Sequence, residues 1–132
     1  MADSIHQHVH FQASPAQVYS ALTQSEAFSA VTGAPAKIGA AEGDPFEAFG
    51  GMITGRQIEL KPATRIVQAW RVGNWDEGRY SLATFELTEA DGGTDLDFRQ
   101  SGYPEGQEEH LGPGWQRMYW GPIETYLAAN RD

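Results

Sequence analysis

The hydrophobic period changes near Pro104, and this change constrains the fold more than any other feature of the chain. Before Pro104, apolar residues alternate with polar ones as they do in β-strands, whereas after it they recur at three- and four-residue spacing. The recurring residues are Trp115, Met118, Tyr119, Pro122, Ile123, Tyr126 and Leu127. This wide apolar stripe predicts a long C-terminal helix that can bury its apolar side only by lying on a sheet.

The dipeptide Gly121-Pro122 lies inside this predicted helix. Pro122 has no N–H to donate to the carbonyl of Met118, so the axis should bend there, at a cost of about 3 kcal/mol if nothing accommodates it. A bend on the sheet-facing side would widen the gap beneath the helix. The pattern leaves open whether residues 106–111 form an earlier turn of the same helix, interrupted at Gly112-Pro113.

Strict alternation from Ser4 to Phe11 predicts a first strand with one apolar face and one face of histidines. From Ala36 to Ser101, further alternating segments are separated by short turns rich in Gly, Pro and Asp. Short connections favour antiparallel pairing of successive strands. The middle of the chain is therefore predicted to be an antiparallel meander.

Two short helices are predicted directly after the first strand. Ser14-Pro15-Ala16-Gln17 combines an N-cap serine, a proline suited to the first helical position and a glutamine that completes a capping box. A second helix is predicted from Ser25 to Val31, and Gly33 with Pro35 ends it. With the sheet and the terminal helix, these elements indicate an α+β fold.

Composition excludes several classes of function. The 132 residues include nine basic and eighteen acidic side chains, so the net charge of −9 repels nucleic acid and anionic membranes. The chain has no cysteine, which excludes disulfides and thiolate metal sites, and its start has no apolar run typical of a signal peptide. We expect one cytoplasmic domain over residues 1–132, a monomer or homodimer, with neither a nucleic acid nor a membrane as partner.

A series of short motifs resembles one family along nearly the whole chain. The motifs are Phe46-Glu47-Ala48-Phe49-Gly50-Gly51, Gly55-Arg56, Glu59-Leu60-Lys61-Pro62, Arg65-Ile66-Val67, Trp70-Arg71, Trp75, Gly92-Gly93-Thr94 and Gly114-Trp115. Together they resemble the single-domain bacterial form of the activators of the heat-shock protein 90 ATPase, within the START-like (SRPBCC, Bet v 1-like) superfamily. The resemblance implies a helix-grip fold, in which a curved antiparallel sheet wraps around the long C-terminal helix and leaves a cavity between them.

Fifteen aromatic residues, namely four Trp, five Tyr and six Phe, are a large number for a chain of this length. They either fill a solid core, as dense packing would favour, or partly line a cavity for an apolar ligand. Trp115 and Tyr119 are the strongest ligand-binding candidates, since each joins an apolar ring to a polar tip on the terminal helix. The full set of candidate ligand-binding residues is Met52, Trp70, Phe85, Phe98, Trp115, Met118 and Tyr119.

Three functions remain open on this basis. The first is binding of a hydrophobic small molecule or lipid between the C-terminal helix and the sheet. The second, implied by the resemblance, is a chaperone co-regulator that acts in the stress response by protein–protein contact. The third is an enzyme of the cyclase or hydratase kind, for which the charged or titratable candidates near the expected cavity mouth are Glu47, Arg56, Glu59, Arg71 and His110. No cofactor and no catalytic residue are predicted.

Two further features have competing interpretations. His6, His8 and His10 share one strand face at a spacing that metal sites use, yet an alternating polar face is ordinarily just solvated, so no metal is predicted. The acidic segment from Gly102 to Gly114 is either an exposed connection or a gate over the cavity.

Overall fold

Seven antiparallel strands form one curved sheet in the computed structural model, which describes residues 4–129. In spatial order the strands run β1-β7-β6-β5-β4-β3-β2. The elements are β1 (Ser4–Phe11), α1 (Pro15–Thr23), α2 (Ser25–Thr32), β2 (Lys37–Ile38), β3 (Pro45–Ala48), a 3-10 turn (Phe49–Gly51), β4 (Ile53–Lys61), β5 (Arg65–Val72), β6 (Ser81–Ala90), β7 (Gly93–Ser101), α3 (Glu108–Trp115), a π turn (Gln116–Trp120) and α4 (Gly121–Ala129). The predicted α+β helix-grip fold is confirmed.

Capping residues in the sequence determine where α1 begins and where α2 ends. Ser14 and Gln17 form the predicted capping box, in which the Gln17 N–H donates to Ser14 Oγ over 3.2 Å and the Ser14 N–H donates to Gln17 Oε1 over 3.0 Å. At the end of α2, Gly33 adopts a left-handed conformation with φ of 75°, which glycine reaches without steric cost. None of the described helices is long and apolar enough to cross a bilayer.

The C-terminal helical segment runs from α3 through the π turn into α4. It passes through Gly112-Pro113 without ending, and the open question about residues 106–111 resolves to a helix that begins at Glu108. The bend predicted at Gly121-Pro122 takes the form of the π turn, where the Gly121 N–H donates to the carbonyl of Gln116, five residues back. A widened turn accommodates a missing proline donor without ending the helix.

Close backbone approach helps to curve the sheet at Gly55. A Cβ atom at this position would lie 1.8 Å from the carbonyl oxygen of Ala69 and 2.6 Å from the ring of Phe46. Only glycine therefore allows β4 to lie this near to β5 while the Phe46 ring crosses it. A register shift between Gln57 and Glu59 adds a bulge to the same strand.

The histidine face of β1 lies opposite acidic residues of β7. His6 Nε2 lies 2.6 Å from an oxygen of Asp97, and His10 Nδ1 lies 2.6 Å from an oxygen of Asp95. Hydrogen bonds from these histidines are the largest cause that lowers the pKa of each aspartate. Within residues 4–129, no group of three or more His, Asp or Glu side chains is arranged to hold a metal ion. The face is best described as a cross-strand ladder of polar pairs.

Gln7 ties the inner face of β1 to the C-terminal helix. Its amide nitrogen donates to the carbonyl of Gly112 over 3.0 Å, and its oxygen accepts from Trp120 Nε1 over 2.7 Å. The carbonyl of Gly112 is available because the Gln116 N–H donates instead to Pro113, three residues back. Gln7 thus provides hydrogen-bond partners for the Gly112 carbonyl and for the indole N–H of Trp120. Without it, the helix irregularity would leave the carbonyl unpaired and burial would leave the indole N–H unpaired.

Replacing Gln7 with Met keeps the side-chain volume but leaves the Trp120 N–H and the Gly112 carbonyl without partners. We expect the free energy of unfolding to fall by about 2–4 kcal/mol, measured by urea unfolding. Gln12→Met is the matched control at an exposed position next to the strand, and it should change stability by less than about 0.5 kcal/mol. Equal, small losses in both variants would contradict this role for Gln7.

Candidate functional site

A cavity of about 470 Å³ lies between the C-terminal helical segment and the strands β4 and β5. One wall comes from α3 and the π turn, and the other comes from the strand ends and the 3-10 turn. The lining residues are Phe49, Met52, Ile53, Trp70, Val72, Asn74, Gln107, His110, Leu111, Gly114, Trp115, Arg117, Met118 and Tyr119. The volume lies in the range that small-molecule sites occupy.

Aromatic rings form the deep wall of the cavity. The ring of Trp115 lies 5.1 Å from that of Trp70 and 4.2 Å from that of Tyr119, between centroids. All three side chains are buried, and Trp115 also packs at 4.2 Å against Phe98 in the core behind it. Because these rings pack on one another, the wall is rigid and apolar.

Buried polar side chains orient these rings. Trp115 Nε1 donates to Gln100 Oε1 over 2.8 Å, and Gln100 Nε2 donates in turn to Ser81 Oγ over 2.9 Å. Ser81 Oγ donates to the carbonyl of Trp70 over 2.8 Å, and Trp70 Nε1 donates to the hydroxyl of Tyr119 over 3.2 Å. The wall is therefore held by a satisfied network and not by apolar contact alone.

The sequence pattern alone gave no role to Gln100 or Ser81. Both lie at inward-facing positions of alternating strands, where Gln100 continues the apolar series of Leu96 and Phe98. A glutamine that continues the apolar series of a strand was the available signal, since a side chain on that face is expected to be buried and then needs a partner.

Tyr119 is the buried titratable group of the cavity wall. Burial raises the pKa of its hydroxyl well above the ordinary value. The group is therefore a neutral hydroxyl at physiological pH, able to hydrogen-bond but unsuited to act as a base.

The rim of the cavity is different in character from its deep wall. Met52 and Met118 are 60% and 41% exposed, so two flexible apolar side chains flank the opening. The polar lining side chains are Asn74, Gln107, His110 and Arg117. No aspartate or glutamate lines this cavity within the described part of the chain.

The structure separates the predicted ligand-binding residues into two groups. Met52, Trp70, Trp115, Met118 and Tyr119 line the cavity. Phe85 and Phe98 instead lie at about 1% and 0% exposure in the packed core, and a separate void that Phe85 helps to line has a volume of only about 10 Å³. Whether any of the seven contacts a ligand stays a prediction, but Phe85 and Phe98 support the wall from behind.

The charged and titratable candidates do not converge on the cavity. Of the five, only His110 lines it. Arg56 donates to a loop carbonyl, Glu59 pairs with cations of its own and the neighbouring strand, and Arg71 donates to three carbonyls of the loop after β5. Glu47 is exposed on β3. The expectation that all five lie at the mouth was wrong, because strand alternation gives the face of a residue but not its neighbours.

The acidic segment from Gly102 to Gly114 contributes directly to the site. Its second half is helical, and Gln107, His110 and Leu111 form part of the cavity wall. Its acidic side chains do not line the cavity. Whether the segment moves as a gate stays a prediction.

Comparison with known proteins gives the chain a family. The family model described as Activator of Hsp90 ATPase homolog 1-like protein matches residues 12–128. Among curated proteins, the activator of 90 kDa heat shock protein ATPase homolog 2 of Mus musculus is 31% identical over 117 residues, which are 89% of this chain and 35% of that protein.

Solved structures agree on the fold. An HSP90 activator from Plasmodium falciparum superposes with a TM-score of 0.89 at 24% identity, covering 95% of this chain and 96% of that one. The Aha1 dimer from Colwellia psychrerythraea has a TM-score of 0.79 at 18% identity, covering 94% of this chain and 96% of that one.

The share of each protein that the matches cover determines whether they show the family or the function of the whole relative. The chain spans about a third of the length of the curated relatives it matches. The family model, in contrast, covers most of this chain, from the end of β1 to the last turn of α4. The chain therefore belongs to the family of Activator of Hsp90 ATPase homolog 1-like proteins.

Proposed function

We propose that the chain binds a hydrophobic small molecule or lipid in the cavity between its C-terminal helical segment and the sheet. The observation that carries the proposal is the cavity of about 470 Å³ with an aromatic wall and a methionine rim. Pockets that bind small molecules have this size and this mainly apolar lining with a few polar groups. Each methylene group that a ligand buries there would contribute about 0.8 kcal/mol.

The side chains at the opening suit such a ligand. Met52 and Met118 are flexible and polarisable, so they can adapt to ligands of different shape. Trp70 and Trp115 line the cavity, and their N–H groups are already paired with protein acceptors. A ligand would therefore bury apolar surface without breaking the network that orients the wall.

We assign no catalytic step to this cavity. Its titratable or charged lining groups within residues 4–129 are His110, Arg117 and Tyr119, and Tyr119 is a neutral hydroxyl. An acid–base mechanism of the cyclase or hydratase kind needs a positioned pair of groups, and this lining offers His110 without a carboxylate beside it.

A second candidate function is regulation of a heat-shock protein 90 chaperone. Membership of the family and 31% identity to a named activator favour it. Chaperone contact by this chain is a proposal because the chain corresponds to about a third of that relative's length. The oligomeric state, monomer or homodimer, and the cytoplasmic location also stay predictions.

Filling the cavity should weaken ligand binding strongly without unfolding the protein. Gly114 lines the cavity, and a Cβ atom added there would meet no atom within 4 Å. We expect Gly114→Leu to weaken binding of the neutral fluorophore N-phenyl-1-naphthylamine at least tenfold by titration. The same change should raise the free energy of unfolding by about 0.5–1 kcal/mol, because glycine is unfavourable inside a helix.

The matched control is Ala128→Leu, which adds similar apolar volume at an exposed position of α4. It should bind the fluorophore as the unmodified chain does. Unchanged binding by Gly114→Leu would contradict the location of the site. Absence of binding by the unmodified chain to this probe and to a panel of lipids and aromatic ketones would contradict the proposal itself.

The chaperone proposal has a separate test. If the chain is a co-regulator, it should co-precipitate with heat-shock protein 90 from its own organism and raise the rate of ATP hydrolysis by that chaperone. Gly114→Leu should retain this stimulation if the chaperone contacts the outer surface. If the variant loses both ligand binding and ATPase stimulation, the two functions depend on the same cavity. No co-precipitation and no change in the ATPase rate would contradict a co-regulator role.

A further inference from the structure

The charge of Arg117 in the cavity lining is opposite in sign to the net charge of the chain. The chain carries eighteen acidic and nine basic residues, yet the ionisable side chains at the cavity opening are Arg117 and His110. Glu108 and Glu109 occupy the first turn of α3 but do not line the cavity. A negatively charged group at this opening would therefore meet a cation and not the carboxylates that cover much of the surface.

Arg117 has no partner within the described residues, since its side chain takes part in neither an ion pair nor a hydrogen bond there. This is unusual in a chain with twice as many acidic as basic residues, because most other cations are engaged. Those engaged with carboxylates are Lys61, Arg65 and Arg99, and those that donate to backbone carbonyls are Arg56, Arg71 and Arg79. The guanidinium of Arg117 keeps its donors available for a ligand.

The helix geometry leaves space for a head group beside this cation. His110 lies about two helical turns before Arg117, and Gly114 falls between them on the same wall. Because Gly114 has no side chain and faces open space, the wall has a gap between the two side chains. The cavity beneath is apolar, with Trp115 at its deep end and Met118 at its rim.

We propose, building on the hydrophobic-ligand function, that the cavity takes an anionic amphiphile with an apolar body and one carboxylate. The body lies against the aromatic wall, and the carboxylate lies at the opening, where Arg117 binds it. A guanidinium matches a carboxylate in shape and offers two parallel N–H donors to it. A single carboxylate also suits an opening with one permanent cation.

A matched pair of ligands separates the head group from the apolar body. Calorimetric titration of the full chain at low salt with decanoate, 1-decanol and acetate measures each contribution. We expect decanoate to bind about three- to fivefold tighter than 1-decanol, the advantage typical of a partly exposed ion pair. The advantage should shrink as salt is added, and acetate alone should bind far more weakly than either.

Substitutions then test whether Arg117 causes the higher affinity for decanoate than for 1-decanol. Arg117→Gln should bring the decanoate to 1-decanol affinity ratio close to one, because decanoate loses more affinity than 1-decanol does. Arg99→Gln, on the outer face of β7, is the control and should leave the ratio as in the unmodified chain. Equal affinities for decanoate and 1-decanol in the unmodified chain, or equal loss of both in Arg117→Gln, would overturn the carboxylate proposal but leave hydrophobic binding standing. Binding of neither ligand would overturn both.

Discussion

The structure depends on two buried tryptophan side chains of the C-terminal helical segment, Trp115 and Trp120, whose indole N–H groups both donate to glutamine side chains of the sheet. An indole ring contributes a large apolar surface, but its N–H must find an acceptor once it leaves water. Gln100 of β7 accepts from Trp115, and Gln7 of β1 accepts from Trp120. These two hydrogen bonds, made to adjacent strands, fix the position of the C-terminal helical segment on the sheet and its rotation about its own axis.

The cavity follows from this attachment. Where Trp115 and Trp120 are fixed to the sheet, the core is densely packed around Phe85 and Phe98. Toward Met52, the cavity separates the wall residues of the helix from the strand residues Ile53 and Val72, and Gly114 contributes no side chain. Tight packing at one end and open space at the other are thus two consequences of the same fixed helix. A ligand would fill the open end without disturbing the packed one.

Several features could be predicted from the sequence because they depend on local chemistry. The capping box of Ser14 and Gln17, the alternation of β1 and the helical period after Pro104 each arise within a few residues. The long-range features could not be predicted in the same way. Phe85 and Trp70 were both candidate ligand-binding residues, yet only the packing of the helix decides that Trp70 borders the cavity while Phe85 does not. Likewise, Pro122 predicted a distortion, but a kink and a π turn both accommodate a missing N–H.

Methyl NMR of the methionine side chains tests the central claim most directly, because the chain has three methionines and two of them flank the cavity. The account predicts that an apolar ligand shifts the ε-methyl signals of Met52 and Met118 together, with one common dissociation constant. Saturable binding of the ligand with both of these signals unmoved would contradict the claim that the space beneath the C-terminal helical segment is a binding site.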